Sequence, residues 1–465
     1  MKSKKNNYDV VIIGAGLSGS SAAAEAGDRG LSTLVVEKGR HTGGTGSYVE
    51  GVFAVESNLQ KKRGIKLTKE YILKEEYEWT HGLADMAVWK RYVNQAADNV
   101  EWLKSHGAVM TKMRTLGTGD DTWHLFDGHG KQAINEGLLP SAKEKGVEVI
   151  TSAQAVRLSL DLDGKVAGVT IKDFESGEEF TVSAKSVIIA SGGYLNNQEF
   201  LNSNANHNAG RIIPVNSGKN TGDGLKLAWS VGAKKYGMGT VMMFGGQVFD
   251  NVPGYMNWMR QVNRAVTHEA PLWVNETGRR FAKEDCTDIW AIAGNTLIRQ
   301  DKVYAILDQK QIDELSLKYD SLKEDIRSDI DSDKPYLTVA DSIEALASEL
   351  NLPDLSSSVV RYNHLVKEGT DSDFGKDAKY LHEVSDGSFY AFELGVGAFC
   401  TMGGLRVDVD NHVLDDNGNW IQGLYAIGTD GSAPLVGDTY GVNIPGSEAG
   451  YCVYSGRNAV SDIAK

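Results

Sequence analysis

The sequence predicts an α/β fold: a parallel sheet wound with helices and built from both ends of the chain, interrupted by an inserted α+β domain. Three observations predict it. YDVVIIGAGLSGSSAAAEAGDRGLSTLVVEK, residues 8–38, reads as strand, glycine turn, helix, strand. Two later apolar runs, SVIIASGG (186–193) and GLYAIGTD (423–430), end in the small or acidic residues that close buried parallel strands. Residues 236–385 show no strand–helix alternation and are richer in Trp, Met and charged helices.

The elements follow in chain order. VVII, 10–13, is continuous apolar sequence, as a strand buried on both faces requires. SSAAAEA, 20–26, supplies small side chains for a helix packed close to a sheet, and LVVE, 34–37, is the second strand. Residues 70–108 carry helical periodicity, with an end expected at Gly107. Residues 132–146 are again helical and lead into the strand VEVIT. VRLSLDLDGKVAGVTI alternates about Asp163-Gly164, a hairpin signal. In TVADSIEALASEL a helix start is expected at Thr338, with Asp341 three positions on. The domain expectation is residues 1–235 with 386–465 for the main domain, and 236–385 for the inserted one.

Composition bounds the function. The 465 residues carry a net charge of −14, so nucleic acid and anionic membrane are unsuited partners. The basic start MKSKKNNYDV runs directly into a strand and lacks a secretory apolar segment, so a cytoplasmic location is expected. Cys286, Cys400 and Cys452 are too few and too scattered for a disulfide framework, a haem attachment, an iron–sulfur cluster or zinc, and no metal site is expected.

The first turn carries a dinucleotide fingerprint, and the main domain is therefore Rossmann-like. Gly14, Gly16 and Gly19 form GxGxxG between strand and helix, with Ala15 and Ser18 among them. The first glycine permits the turn, the second admits a pyrophosphate, and the third lets helix and strand close up. Free N–H groups at the helix start then face the phosphates. Glu37, ending the second strand, suits an adenosine ribose, and Lys38 follows it. Three further elements favour FAD over NAD: GGTGS at 43–47, the glycines after SVIIA, and Asp430 at the end of GLYAIGTD, placed for a ribitol hydroxyl. The expected FAD contacts are thus the first turn, Glu37, Lys38, Gly43, Gly44, Thr45, Gly46, Ala155, Ser191, Gly192, Asp223, Asp430 and Ala449.

These residues, together with TGDGLKLA (221–228), WVNETGRRF (273–281), TMGG (401–404) and YGVNIPGSEAG (440–450), carry a resemblance over essentially the whole chain. The chain resembles the flavoprotein family of soluble fumarate reductases, urocanate reductases and 3-ketosteroid Δ1-dehydrogenases. The resemblance implies a glutathione-reductase-like FAD domain, a cap domain over the flavin, and hydride transfer at a carbon–carbon bond beside an electron-withdrawing group. It also implies a flavin contact for Asp223.

The resemblance breaks at the diacid clamp. Where fumarate reductases place a proton-donating arginine, a histidine before TMGG and an arginine in the last glycine loop, this chain has Asp288, Phe399 and Ile444. His124 is a loose match to another substrate histidine. A desolvated dicarboxylate needs bidentate arginines or their equivalent, so fumarate reduction is not expected. APLVGDTYGVNIPG instead keeps the layout of the ketosteroid dehydrogenase loop. By that resemblance, Tyr440 O–H and Ile444 N–H form an oxyanion hole for a neutral carbonyl or phenol.

Asp288, with a carboxyl raised by burial, is the expected proton donor, its structural reading being a surface aspartate or a helix N-cap. His268 is a weaker candidate. His41 lies several residues early for covalent flavin attachment, so noncovalent FAD is expected. The expected activity is an FAD-dependent ene-reductase acting on a C=C conjugated to a phenol or carbonyl, in the manner of the vinylphenol reductases that the chain is also similar to. A 4-vinylphenol suits it: protonation of the outer carbon gives a quinone methide whose benzylic carbon takes hydride. Two other readings stay open, a 3-ketosteroid or enone oxidoreductase and a flavin-binding electron-transfer subunit. NADH or NADPH is the expected electron donor, with a separate flavin reductase as second choice.

Overall fold

The computed structural model describes residues 5–117, 119–205, 208–250, 254–441 and 443–465, with the backbone alone of Asp288. It contains two compact units. The first comprises residues 1–204, 216–242 and 400–465, and the second residues 205–215 and 243–399.

In the first unit β1 (Asn7–Ile13) continues through a glycine turn into α1 (Leu17–Asp28) and returns as β2 (Thr33–Val36). β1 is flanked by β2 and by β3 (Glu179–Ile189), both parallel to it, and β3 by the parallel strand β4 (Trp420–Ala426). Glu148–Ile150 extends the sheet beyond β2. The N-terminal and C-terminal parts of the chain therefore share one sheet. Val10, Val11 and Ile12 are fully buried, as a strand covered on both faces must be. Ala22, Ala23, Ala24 and Ala26 are buried along α1. Their small side chains admit the C-terminal helix Ser447–Ile463 closely: a Cβ on its Gly456 would lie 2.7 Å from the Ser18 carbonyl oxygen.

The helical stretch expected over 70–108 is two helices. α2 (Lys69–Trp79) stops before His81 and Gly82, both with positive φ, and α3 (Met86–Ser105) restarts under the Asp85 cap, which accepts from Ala87 N at 2.9 Å. Positive φ ends a helix whatever the periodicity on either side. Gly107 closes α3 as expected, at φ +88°. The stretch 132–146 is helical but passes through a π-turn over Ala133–Leu138 before Leu139–Glu144. The hairpin about Asp163-Gly164 joins Ala153–Leu160 to Val166–Asp173.

The second unit is built on the long strand Phe389–Thr401. It pairs parallel with Ile212–Pro214 and antiparallel with Val303–Asp308 and Leu337–Ala340. This places the division near residue 400, not 386, and brings residues 205–215 into the second unit. Thr338 is not a helix cap: strand pairing takes it, and the helix Ile343–Leu350 starts at Ser342, whose hydroxyl accepts from Ala345 N at 3.0 Å. The WVNETGRRF segment is fastened by Arg280, which pairs with Glu284 and Asp371 at 2.7 Å each. The guanidinium, together with backbone donors, holds the Asp371 carboxyl well below the usual carboxylate range against the effect of burial.

Candidate active site

The glycines of the first turn behave as their positions require. Gly14 sits at φ +110°, and a Cβ there would meet the Ala190 carbonyl oxygen at 2.2 Å; one on Gly19 would meet the Gly14 oxygen at 2.0 Å. Gly16 differs. Its nearest neighbour would be 3.8 Å away, so the turn is open on that side, at the N-cap of α1. An open face above a helix start with free N–H groups fits a pyrophosphate.

Around this turn the expected FAD residues join into one connected set. Gly43 N donates to Ala15 O at 2.8 Å, holding the GGTGS loop against the first turn. Glu37 accepts from Ala15 N at 3.1 Å and from Gly39 N at 2.7 Å, which leaves lone pairs on both oxygens for ribose hydroxyls. Thr45 donates to Asn220 Oδ1 at 2.9 Å, and Asn220 donates to Gly192 O at 2.6 Å. Lys38 Nζ bridges Asp223 at 2.6 Å and Thr221 at 2.7 Å. Asp223 is therefore ion-paired, and it opens a helical first turn. Ser18 lies beside Gly428, Ala155 is buried at a bulge in its strand, and Ala449 stands in the first turn of the C-terminal helix.

Asp430 has a structural task beyond the expected ribitol contact. It is fully buried and accepts from Ser191 N (2.5 Å), Ser191 Oγ (3.1 Å), Gly192 N (3.0 Å) and Gly193 N (3.0 Å). The end of β4 thereby fixes the turn after β3. Burial nevertheless pushes its carboxyl above the ordinary value. His41 is exposed, and its carbonyl accepts from Lys219.

The loop that precedes the C-terminal helix holds the second group. Tyr440 is buried, and its hydroxyl oxygen accepts from Ser447 Oγ at 3.4 Å. Burial raises the phenol further above its ordinary value. Tyr92, on α3, donates to Ser447 O at 2.8 Å, and Trp89 donates to Leu435 O at 2.8 Å, so α3 pins both ends of the loop. Ile444 is fully buried, and among the described residues its N–H donates to no acceptor. An orphaned buried N–H is rare enough to call for a ligand.

Beside Tyr440 lies a cavity of about 10 Å³, lined among others by Glu76, Ser447 and Glu448. Burial pushes both carboxyls up to about 8. The sequence reading missed this pair. Glu76 stands on α2 at no special spacing, and Glu448 stands inside GSEAG; a lone acid among small residues at a helix start was the available signal.

The remaining candidates lie elsewhere. His124 is buried in Trp123–Leu125 with both ring nitrogens engaged, Nδ1 with Thr122 O at 2.9 Å and Nε2 with Ser57 Oγ at 2.7 Å. Both ring nitrogens are thus held within the protein, and a substrate contact would have to displace Ser57 or Thr122. Asp288 ends the turn Glu284–Asp288 in the second unit, and its side chain is outside the described residues. It is not the N-cap of the following helix, which starts at Trp290 after Ile289. His268 closes the helix Gln261–His268, also in the second unit. Phe399, where the resemblance implies a histidine, packs among Phe244, Trp258 and Trp290 with ring centroids 4.7, 5.7 and 6.4 Å away. Arg260 is committed to Asp329 at 2.6 Å and Tyr336 at 3.0 Å. Cys400 is a buried filler between the sulfurs of Met242 and Met402. Among the described residues, no cluster of His, Cys, Asp and Glu could hold a metal, and no helix is long and apolar enough to cross a membrane.

Known proteins resemble the chain throughout its length. A vinyl phenol reductase of Lactiplantibacillus plantarum is 42% identical over 98% of this chain and 96% of its own. The open conformation of a flavocytochrome c3 fumarate reductase superposes with a TM-score of 0.75 at 25% identity, covering 99% of this chain and 78% of the other. The 3-ketosteroid Δ1-dehydrogenase of Sterolibacterium denitrificans shares the fold, with a TM-score of 0.78 at 19% identity over 99% of this chain and all of that one. The model of the FAD binding domain family matches residues 9–437. With the open glycine turn, Glu37 bonded to that turn and the Asp430-anchored loop in place, the chain belongs to the FAD binding domain family of flavoproteins.

Proposed function

We propose that the protein is an FAD-dependent ene-reductase for a neutral, flat alkene conjugated to a phenol or carbonyl oxygen, with a 4-vinylphenol as the specific substrate type. The observation that carries this reading is the donor pair in the C-terminal loop. Ile444 N–H is buried without an acceptor among the described residues, and Tyr440 oxygen already accepts from Ser447, which leaves the phenolic proton to be donated. Two fixed donors suit an oxygen that gains charge during reaction. A diacid is disfavoured by the buried Glu76 and Glu448 beside Tyr440. The likeness to a vinyl phenol reductase supports the same substrate class.

Bound FAD supplies hydride at its N5 position. The chain's part is to hold the cofactor without a covalent bond, to hold the substrate oxygen at Tyr440 and Ile444, and to protonate the alkene carbon, a role we assign to Asp288. NADH or NADPH is the proposed electron source, directly or through a flavin reductase.

The test is anaerobic reduction of the flavin with NADH, followed by reoxidation with fumarate, a cinnamate, 4-vinylphenol or a 3-ketosteroid. Rapid reoxidation by 4-vinylphenol supports the proposal. Fumarate as the preferred oxidant overturns it, and preference for the steroid moves the protein to the enone branch.

A further inference from the structure

The cavity behind Tyr440 holds chemistry that the donor pair does not use. Glu76 comes to it from α2 and Glu448 from the first turn of the C-terminal helix. Both are buried. Glu448 Oε2 has no hydrogen-bond partner among the described residues, and its Oε1 meets only the Cys452 thiol, at 3.8 Å. Glu76 Oε2 receives a long bond from Asn443 Nδ2 at 3.5 Å. Buried carboxyls without partners cost stability, and side chains serving packing alone are normally apolar. The cavity volume of about 10 Å³ matches one water molecule, and its polar lining offers such a water several partners.

We propose that Glu76 and Glu448 are the proton relay of Tyr440, a pair of buried carboxyl groups that takes up and returns the proton of the oxygen held by Tyr440. This rests on the donor-pair reading above. In the first step the substrate O–H bond breaks as the outer alkene carbon gains its proton from a separate acid. While the substrate is a phenol its O–H donates to the Tyr440 oxygen and the Tyr440 proton faces the cavity. The released proton passes to that oxygen as the Tyr440 proton moves through the cavity water to an ionised carboxylate, and Tyr440 then donates to the quinone methide oxygen. In the second step, once the alkene carbon beside the ring is reduced, the substrate oxygen carries the negative charge. Tyr440 gives it a proton and regains one from the carboxylic acid. Each O–H bond broken in the relay is re-formed, and no electrons move within it.

The relay needs one carboxyl ionised and one protonated. Two buried carboxyls at one cavity, both pushed up to about 8, reach that state as pH approaches 8. The other titratable groups facing the pair are Tyr92 from α3, Tyr440 from the loop, Cys400 from the strand before TMGG, and Tyr451 and Cys452 from the C-terminal helix. All five are neutral there, raised by burial, so no cation pulls the carboxyls down.

The test is an infrared pH titration of the FAD-loaded protein, with Glu76→Gln, Glu448→Gln and Tyr440→Phe alongside, and with 4-ethylphenol as the probe. A protonated-carboxyl band should bleach with a midpoint near pH 8, lose intensity in each glutamine variant, and shift on probe binding in wild type but not in Tyr440→Phe. Reoxidation by 4-vinylphenol should slow at least about 10²-fold in Glu448→Gln, while chemical reduction of the flavin keeps its rate. Ordinary carboxyl titration, a band insensitive to the probe in wild type, or an unchanged reoxidation rate in Glu448→Gln each overturns the relay. A probe-sensitive band in a protein that no alkene of the panel reoxidises keeps the pair coupled to Tyr440 and removes the ene-reductase reading instead.

Discussion

Ser447 donates its hydroxyl proton to the oxygen of Tyr440, at 3.4 Å, and so leaves the phenolic proton of Tyr440 to be donated elsewhere. The bond ties the first residue of the C-terminal helix to the loop that leads into it, and Tyr92 holds the same serine through its carbonyl. The Tyr440→Phe variant keeps the ring and its burial and removes only the donor. We expect turnover to fall by about 10²-fold or more, with FAD content unchanged. Steady-state kinetics with 4-vinylphenol checks this; near-normal activity would show that Tyr440 only packs.

Asp430 gathers three backbone N–H groups of one turn on a single buried carboxylate. Replacing it by alanine orphans them, at about 1–3 kcal/mol each where no water enters. Asp430→Ala should lower the unfolding midpoint in urea and lose FAD on dilution. Full retention of yellow, stable protein would contradict the anchoring role.

Two glycine substitutions should separate packing from cofactor contact. Gly19→Ala drives a Cβ to 2.0 Å from Gly14 O and should destabilise the protein with or without FAD. Gly16→Ala meets nothing closer than 3.8 Å at φ −76° and should leave the flavin-free protein as stable as wild type, while FAD affinity drops at least about tenfold. Denaturation and flavin titration of the two variants distinguish these outcomes.

Arg260 tests whether a cation of the second unit is structural. Its partner Asp329 is 2% exposed, so Arg260→Ala leaves a buried charge and should cost on the order of 3 kcal/mol. Activity per folded molecule with the preferred alkene should be retained, as read from rates normalised to bound flavin. A selective loss of activity would instead place the guanidinium on the substrate.

The raised carboxyls of Glu76 and Glu448 set a pH dependence of stability. Each binds its proton more tightly folded, at about 8, than unfolded, at 4.5. Their contribution is therefore full below pH 4.5 and is lost as pH rises toward about 8, by up to about 1.4 kcal/mol per pH unit for each group. The fall in Tm between those limits should be shallower in Glu448→Gln. Parallel curves for variant and wild type would show that Glu448 titrates normally.

The sequence by itself determined the cofactor half of this protein. GxGxxG between β1 and α1, Glu37 after β2 and Asp430 after β4 were legible because strand, turn and helix signals are local and the phosphate chemistry needs those residues at fixed spacings. Phe399 and Ile444, where the resemblance implies a cationic clamp, were legible only through the family motifs that flank them. Only the tertiary structure decided the rest. It broke the 70–108 helix at His81 and Gly82 and took Thr338 into a strand, because pairing with a distant strand overrides a local cap signal. It also engaged both nitrogens of His124, set four hydrogen bonds on Asp430, and brought Glu76 beside Glu448. Those carboxyls lie 372 positions apart in the chain, so their shared burial, and the proton affinity it gives them, exists only once the chain has folded.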